Sequence, residues 1–399
     1  MKNQALEGLR GVAAVMVILS HLTLAFWPNT QVNIIHTPHG AWQDWVFNSP
    51  LTVLFSGNFA VCIFFVMSGY VLTAKFWQTG DSKAIADLFG RRYFRLMPPV
   101  LLSILIGYAL LLAGANLAHA PGAPVWLSWA YTAPTSITRA LDDGLWRAFL
   151  LDGADSYNPV VWTMKYEFLG SLITFAFCLL AARLQRRALV YIVAVVVLTT
   201  CVNAGVYYAC FIAGIWLADG KRKPTGGMTA CVTLLLALWL GGSTPGSYSH
   251  KVFEFLTITA NGQITDFVHI GNAIASTLTV WIVLTNASVA AFLSRFKELG
   301  RRSFSLYLIH LSVLVSVGLW IYARFVTMHL DTYGRVAAAA ATLLLSYILA
   351  GLYATWVDGR SIAFSRFAAD FIFLPRHQRA AAATSAKPRD AMSDHSEAA

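Results

Sequence analysis

Residues 10–27 read RGVAAVMVILSHLTLAFW, an apolar run with one arginine at its start, one histidine inside and Phe26-Trp27 at its end. A helix that crosses a bilayer needs roughly 20 mostly apolar residues. This run meets that need. It lacks a small-x-small cleavage site and ends on aromatics, so it reads as a retained helix and not as a signal peptide. The rest of the chain repeats the theme. Of 399 residues, 57% are hydrophobic and only 12% charged, and the mean hydropathy is +0.60. Soluble domains carry about a quarter charged residues. That shortfall excludes a soluble enzyme, a disordered protein and a nucleic-acid-binding domain.

Ten candidate spans follow, near 10–27, 58–75, 96–114, 160–182, 188–203, 205–218, 228–243, 269–289, 303–324 and 335–356. The fifth and sixth are short and read as two spans, a tight helical hairpin or one broken pair. The expected fold is all-α and polytopic, with no soluble domain. Residues 1–375 form the membrane domain, and 376–399, rich in Ala, Ser and charge, read as a disordered cytoplasmic tail. With the N-terminus inside, 23 of the 29 Lys and Arg fall in inner segments. The net charge of +10 is the signature of cytoplasmic loops. Both termini are thus expected in the cytoplasm, with the chain in the inner (plasma) membrane. Five cysteines all lie in apolar stretches, which argues against a disulfide framework. No His/Cys cluster marks a metal site. No internal repeat is visible, which speaks against a transporter built from duplicated halves.

Ionisable residues inside spans are costly and are functional candidates by default. They are His21, Lys165, Glu167 and His310. Arg10 and His21 are eleven residues apart, so they share one helix face with a rise of about 16 Å. Glu167 lies roughly 10 Å in from the outer face, at the depth of His21. His310 lies about 10 Å from the inner face, so the two histidines are expected at different depths, not sharing a proton. His310 then serves packing, lines a tunnel or takes part in the chemistry. Ser68-Gly69 sits near mid-membrane, where small residues let a helix or a thin ligand approach. Arg92 and Arg95 are one turn apart at the cytoplasmic mouth of the third span. Their forks suit phosphate oxygens, whether of a ligand or of lipid.

Five segments together resemble the acyltransferase-3 family of integral membrane acyltransferases. They are Leu6 to Ala14 with His21, Phe65 to Tyr70, Arg92-x-x-Arg95, Asn158-Pro159 to Glu167, and Ser305 to His310. The resemblance runs from Leu6 to about Trp356. It implies transfer of an acyl group, commonly acetyl, from acyl-CoA to a hydroxyl of a carbohydrate or glycoconjugate. It implies His21 as the essential histidine and Arg92 and Arg95 as acyl-CoA contacts. Arg10, Ser68, Gly69 and His310 complete the expected donor site. Many bacterial members carry Trp-Ser-Leu-x-x-Glu-Glu where this chain reads Trp162-Thr163-Met164-Lys165-Tyr166-Glu167-Phe168. That departure bears on the acceptor more than on the reaction.

The chemistry these residues permit is general-base catalysis. A neutral His21 would take the acceptor's hydroxyl proton, and Glu167 would fix its tautomer. Ser68 or the backbone near Gly69 are options for an oxyanion donor. No metal is required. The outer loops at 28–57 and 115–159, with Trp42, Trp45, Trp126, Trp129, Asp142, Asp143, Asp152 and Asp155, suit sugar stacking or an interfacial belt. A tunnel open at both faces, narrowest beside His21, is the expected route. The alternative class is a transporter or flippase for an acylated glycan or lipid. A non-catalytic scaffold leaves the buried ionisable groups unexplained.

Overall fold

The computed structural model describes residues 2–32, 39–153, 156–220, 222–260 and 263–373. Asp155 and the 376–399 tail lie outside them. Among the described residues, seven helices are long and apolar enough to cross a membrane: α1 (Lys2–Phe26), α2 (Gly57–Thr79), α3 (Ser82–Leu112), α4 (Pro159–Ala181), and, after three shorter ones, α8 (Phe267–Thr285), α9 (Ser303–Thr327) and α10 (Asp331–Ile372). The shorter apolar helices are α5 (Arg187–Cys201), α6 (Gly205–Asp219) and α7 (Gly227–Gly241). The ten expected helices are therefore present as elements. Three of them have 15 residues each, about 22 Å of helix, less than a full hydrocarbon core. The only strands among the described residues form a small hairpin, Ile258–Ala260 with Gln263–Thr265.

α5 and α6 form the hairpin that the sequence left open. Ala204 makes the turn in the left-handed region at φ 51°, and a side chain on Gly205 would overlap the Leu198 carbonyl. α3 begins at Ser82, fourteen residues before the expected span. Asp81 starts it by accepting from the Lys83 amide at 2.9 Å, an N-cap that apolar periodicity does not reveal. Pro98 and Pro99 sit inside this helix, and the Pro99 carbonyl accepts from the Tyr353 hydroxyl of α10.

Burial ranks the helices. α2 is buried along nearly its whole length, and so are α6 and the first half of α9. They are apolar on every side, as interior helices are. α5 and α10 instead turn Leu189, Ile192, Val193, Leu344 and Ile348 outward, where lipid replaces protein as the apolar partner. α2 crosses α6 with backbones touching. A methyl on Gly69 would overlap the Phe211 carbonyl, and one on Gly214 the Val66 carbonyl. Gly69 therefore serves helix packing. Its Cα face is filled by α6, and it lines no ligand space.

Candidate active site

The site starts from the contact of α1 with two short helices, Ala287–Ser294 and Lys297–Arg301, that lead into α9. A side chain on Gly8 would overlap the Leu293 carbonyl, and one on Gly300 the Glu7 carbonyl. A Cβ on Gly11 would stand 2.7 Å from the Gly300 amide nitrogen. Gly11 and Gly300 are thus level. His21 lies ten residues beyond the first on α1, and His310 ten residues beyond the second, past the break at Arg302 and into α9. The two histidines meet, with His310 Nε2 3.0 Å from His21 Nδ1. This corrects the expectation of different depths. Hydropathy boundaries located each helix end separately and could not see the glycine contact that levels them.

His310 is 1% exposed. Its Nδ1 lies 2.8 Å from the Tyr307 carbonyl and 3.2 Å from the Leu306 carbonyl. His21 is partly buried. The indole of Trp126 stacks on it at 5.6 Å between centroids and 28° between planes. Trp126 belongs to a short helix, Val125–Ala130, in the connection between α3 and α4. Its indole Nε1 is buried with no hydrogen-bond partner.

Glu167 is not the partner of His21. Its carboxylate accepts from the Arg92 guanidinium and, at 2.7 Å, from the Ser68 hydroxyl. Arg92 Nε also donates to Ser171 Oγ at 2.7 Å, and Ser171 donates to the Glu167 carbonyl. Equal depth from one face placed Glu167 beside His21, but its side chain turns toward α2 and α3. Arg92 and Arg95 do not converge on one point either. Arg95 pairs with Asp358 at 2.5 Å and with Ser361 at 2.6 Å, both in α10. Because α3 starts so early, Arg92 sits well inside the bundle, level with Ser68 at the centre of α2, and not at a cytoplasmic mouth. Lys165, counted among the intramembrane ionisable groups, reaches back out to Asp152 at 2.7 Å.

A cavity of about 410 Å³ joins these groups. Arg10, Arg92, Arg95 and Arg301 line it, with Glu7, Glu167, Asp358 and Ser68. Three of the arginines have acidic partners: Glu167, Asp358 and, for Arg301, Glu298. Arg10 has no ion-pair partner among the described residues. The acid left over in the lining is Glu7, one turn before Arg10 on α1 and likewise without an ion pair among the described residues, so Arg10 lacks a direct salt bridge but not a carboxylate nearby. The cavity's far wall is Tyr307, whose hydroxyl donates to the Val160 carbonyl at 2.8 Å and lies 2.8 Å from Thr163 Oγ1. Behind Tyr307, one helical turn on, stands His310, with ring centroids 6.1 Å apart. Neither His21 nor His310 lines the cavity. The expected tunnel is not seen as one continuous space: the cavity's lining includes Tyr307 and stops short of the histidines.

Among the described residues, no group of three His, Cys, Asp or Glu side chains is placed to hold a metal ion. Sequence reasoning gave no role to Asp358, Ser171, Tyr307 or Thr163. Tyr307 and Thr163 lay within quoted motifs, and their signal was a polar group beside the functional one. Asp358 lay just beyond the last expected span and carried no signal at all.

The acyltransferase-3 family, described as an acyltransferase domain, matches residues 3–352. An O-acetyltransferase of Phomopsis amygdali, PaAT-1, is 24% identical over an alignment covering 91% of this chain and 84% of its own. The acyltransferase clz18 of Cochliobolus lunatus is 25% identical, covering 80% of this chain and 85% of its own. No solved structure matches. A family match over nearly the whole length, on a frame of apolar helices that carries the arginine cavity and the histidine pair, makes this chain an acyltransferase of the acyltransferase-3 family.

Proposed function

We propose that the protein transfers an acetyl group from cytoplasmic acetyl-CoA to a hydroxyl of a carbohydrate or glycoconjugate, with His21 as general base. The observation that carries this reading is Arg10, a cation without a direct salt bridge among the described residues, in a 410 Å³ cavity whose wall at Tyr307 backs onto the histidine pair. A nucleotide phosphate would give its guanidinium a forked, charged partner. Arg92 and Arg95, held by carboxylates, shape the cavity around it. The acyl arm extends past Tyr307 toward His21, and the acceptor arrives from the Trp126 side.

The acceptor oxygen then attacks the thioester carbonyl while its proton passes to His21. The C–S bond breaks, and the thiolate leaves and takes the proton back. A positioned neutral imidazole that accepts a proton contributes about 10²–10⁴-fold in such a step. Trp126, with its free buried N–H, is placed on the side where the acceptor and the tetrahedral oxygen gather. The name of the Phomopsis relative, an O-acetyltransferase, supports oxygen as the accepting atom. Membership of an acyltransferase family weighs against the transporter alternative.

The test is purified protein with radiolabelled acetyl-CoA and a panel of glycans and glycosides. Label should move to acceptor hydroxyls, and His21→Ala should abolish the transfer while leaving a folded, membrane-extractable protein. Label transfer by His21→Ala above a tenth of the wild-type rate would overturn the assignment.

A further inference from the structure

Two imidazoles 3.0 Å apart share a single hydrogen between the facing nitrogens, and their surroundings decide which nitrogen carries it. His310 Nδ1 faces two backbone carbonyls, Tyr307 at 2.8 Å and Leu306 at 3.2 Å. Carbonyl oxygens only accept, so Nδ1 carries the hydrogen. No carboxylate contacts either ring among the described residues, and a buried charge without a partner is costly, so the resting pair is neutral. His310 Nε2 therefore holds a lone pair. It faces His21 Nδ1, which must be the donor. That uses the only hydrogen of His21, for which the Val17 carbonyl one turn back is a second acceptor, and leaves its Nε2 with a free lone pair. The opposite assignment would press the Nδ1 lone pair of His310 against both carbonyls.

We infer that His310 is a positioning residue, which locks His21 in the Nδ1–H tautomer and so makes its Nε2 the basic atom. The inference rests on His21 being the general base. His310 takes the place that a carboxylate holds in hydrolase triads, using a neutral imidazole whose own orientation is fixed by the backbone of α9. When His21 accepts the substrate's proton, its Nδ1–H bond to His310 becomes charge-assisted and strengthens. The contact therefore favours the state in which the proton has moved. In this site Glu167 does not supply that function, because it is committed to Arg92 and Ser68.

The test uses the full chain in lipid nanodiscs. His310→Leu removes the acceptor for His21 Nδ1–H. Its kcat should fall by about 10²-fold or more, up to the roughly 10⁴-fold that tautomer loss costs in triads, with the KM for acetyl-CoA within about twofold of wild type. His310→Gln places an amide oxygen near the position of Nε2 and should recover kcat to within about tenfold of wild type. His310→Asn, too short to reach, should not. A role in packing alone would not separate Gln from Asn in this way. Nitrogen-15 spectra of histidine-labelled wild-type protein should show His21 protonated at Nδ1 and bare at Nε2, with the Leu variant populating the other tautomer. If the Leu variant does not fold, the wild-type spectrum decides alone, and a His21 protonated at Nε2 overturns the inference. Wild-type kcat in His310→Leu, beside an inactive His21→Ala, sinks this inference and spares the general base. Activity in His21→Ala sinks both.

Discussion

Arg10 and Arg92 both line the cavity, yet truncation should affect them in opposite ways because their partners differ. Arg10 has no ion-pair partner among the described residues, so Arg10→Ala breaks no salt bridge there in the empty protein. Losing one charge-assisted contact costs roughly 1.5–3 kcal/mol, so the KM for acetyl-CoA should rise by about tenfold or more, with the melting temperature unchanged. Steady-state kinetics and a thermal melt of the same preparation check both halves. Arg92 is bound to Glu167, and each side chain is only 14% exposed. Arg92→Ala strands a buried carboxylate, a loss on the order of 3–5 kcal/mol. It should appear first as a lower melting temperature, which Glu167→Gln in the same chain largely restores. A melt unchanged by Arg92→Ala would make the pair a surface feature. The identity of every one of these residues was readable in the sequence, through motif spacing and the cost of charge in a membrane. Their pairing was not. Spacing along one helix gives depth and a rough face, whereas Glu167 meeting Arg92 depends on how α4 is turned relative to α3.

Helix contacts explain why the pairing of the histidines escaped a reading that found both residues and the helices that carry them. Lengths of apolar runs reveal helices because the bilayer imposes them. The level of one helix against another is set by where backbones can touch, here at Gly8, Gly11 and Gly300. Gly300→Val should therefore push α1 away from the short helix Lys297–Arg301 that leads into α9, since its side chain would overlap the Glu7 carbonyl. The expected result is acetyl transfer lost together with a fall in melting temperature, although no atom of the histidine pair has changed. A fully active, equally stable Gly300→Val would show that the register is fixed elsewhere. The α3–α4 connection that carries Trp126 has its own anchor. Asp143 is fully buried between Arg139 and Arg147, at 3.0 Å from each Nε. Burial holds its carboxyl above the ordinary range even against the pull of both arginines. Charge at that position is thus disfavoured while hydrogen bonding is required, so Asp143→Asn should cost much less stability than Asp143→Ala. Equal melting temperatures for the two variants would contradict this.

Across the whole molecule, the arginine cavity and Trp126 lie toward opposite ends of α1, with the histidine pair between them. His21 is eleven residues beyond Arg10, about 16 Å along the axis. A reaction at His21 with phosphates at Arg10 therefore needs an extended donor that enters at one end, while the acceptor enters at the other. Tyr307 stands between them, held by the Val160 carbonyl and facing Thr163, so passage requires that ring to turn. In the proposed orientation, drawn from the distribution of Lys and Arg, the Arg10 end faces the cytoplasm. The two substrates should then work only from opposite sides of a sealed membrane. In inside-out vesicles, acetyl-CoA added to the bath should acetylate an impermeant glycan trapped in the lumen. The same glycan placed in the bath with acetyl-CoA should remain unmodified until detergent is added. Right-side-out vesicles should show the reverse dependence. In Tyr307→Ala the barrier is gone, so transfer to the lumenal glycan should continue while acetyl-CoA hydrolysis rises, because water gains the route that the ring closes. Acetylation of bath glycan in sealed inside-out vesicles would mean that both substrates enter from the Arg10 end, and the two-ended route would have to be abandoned.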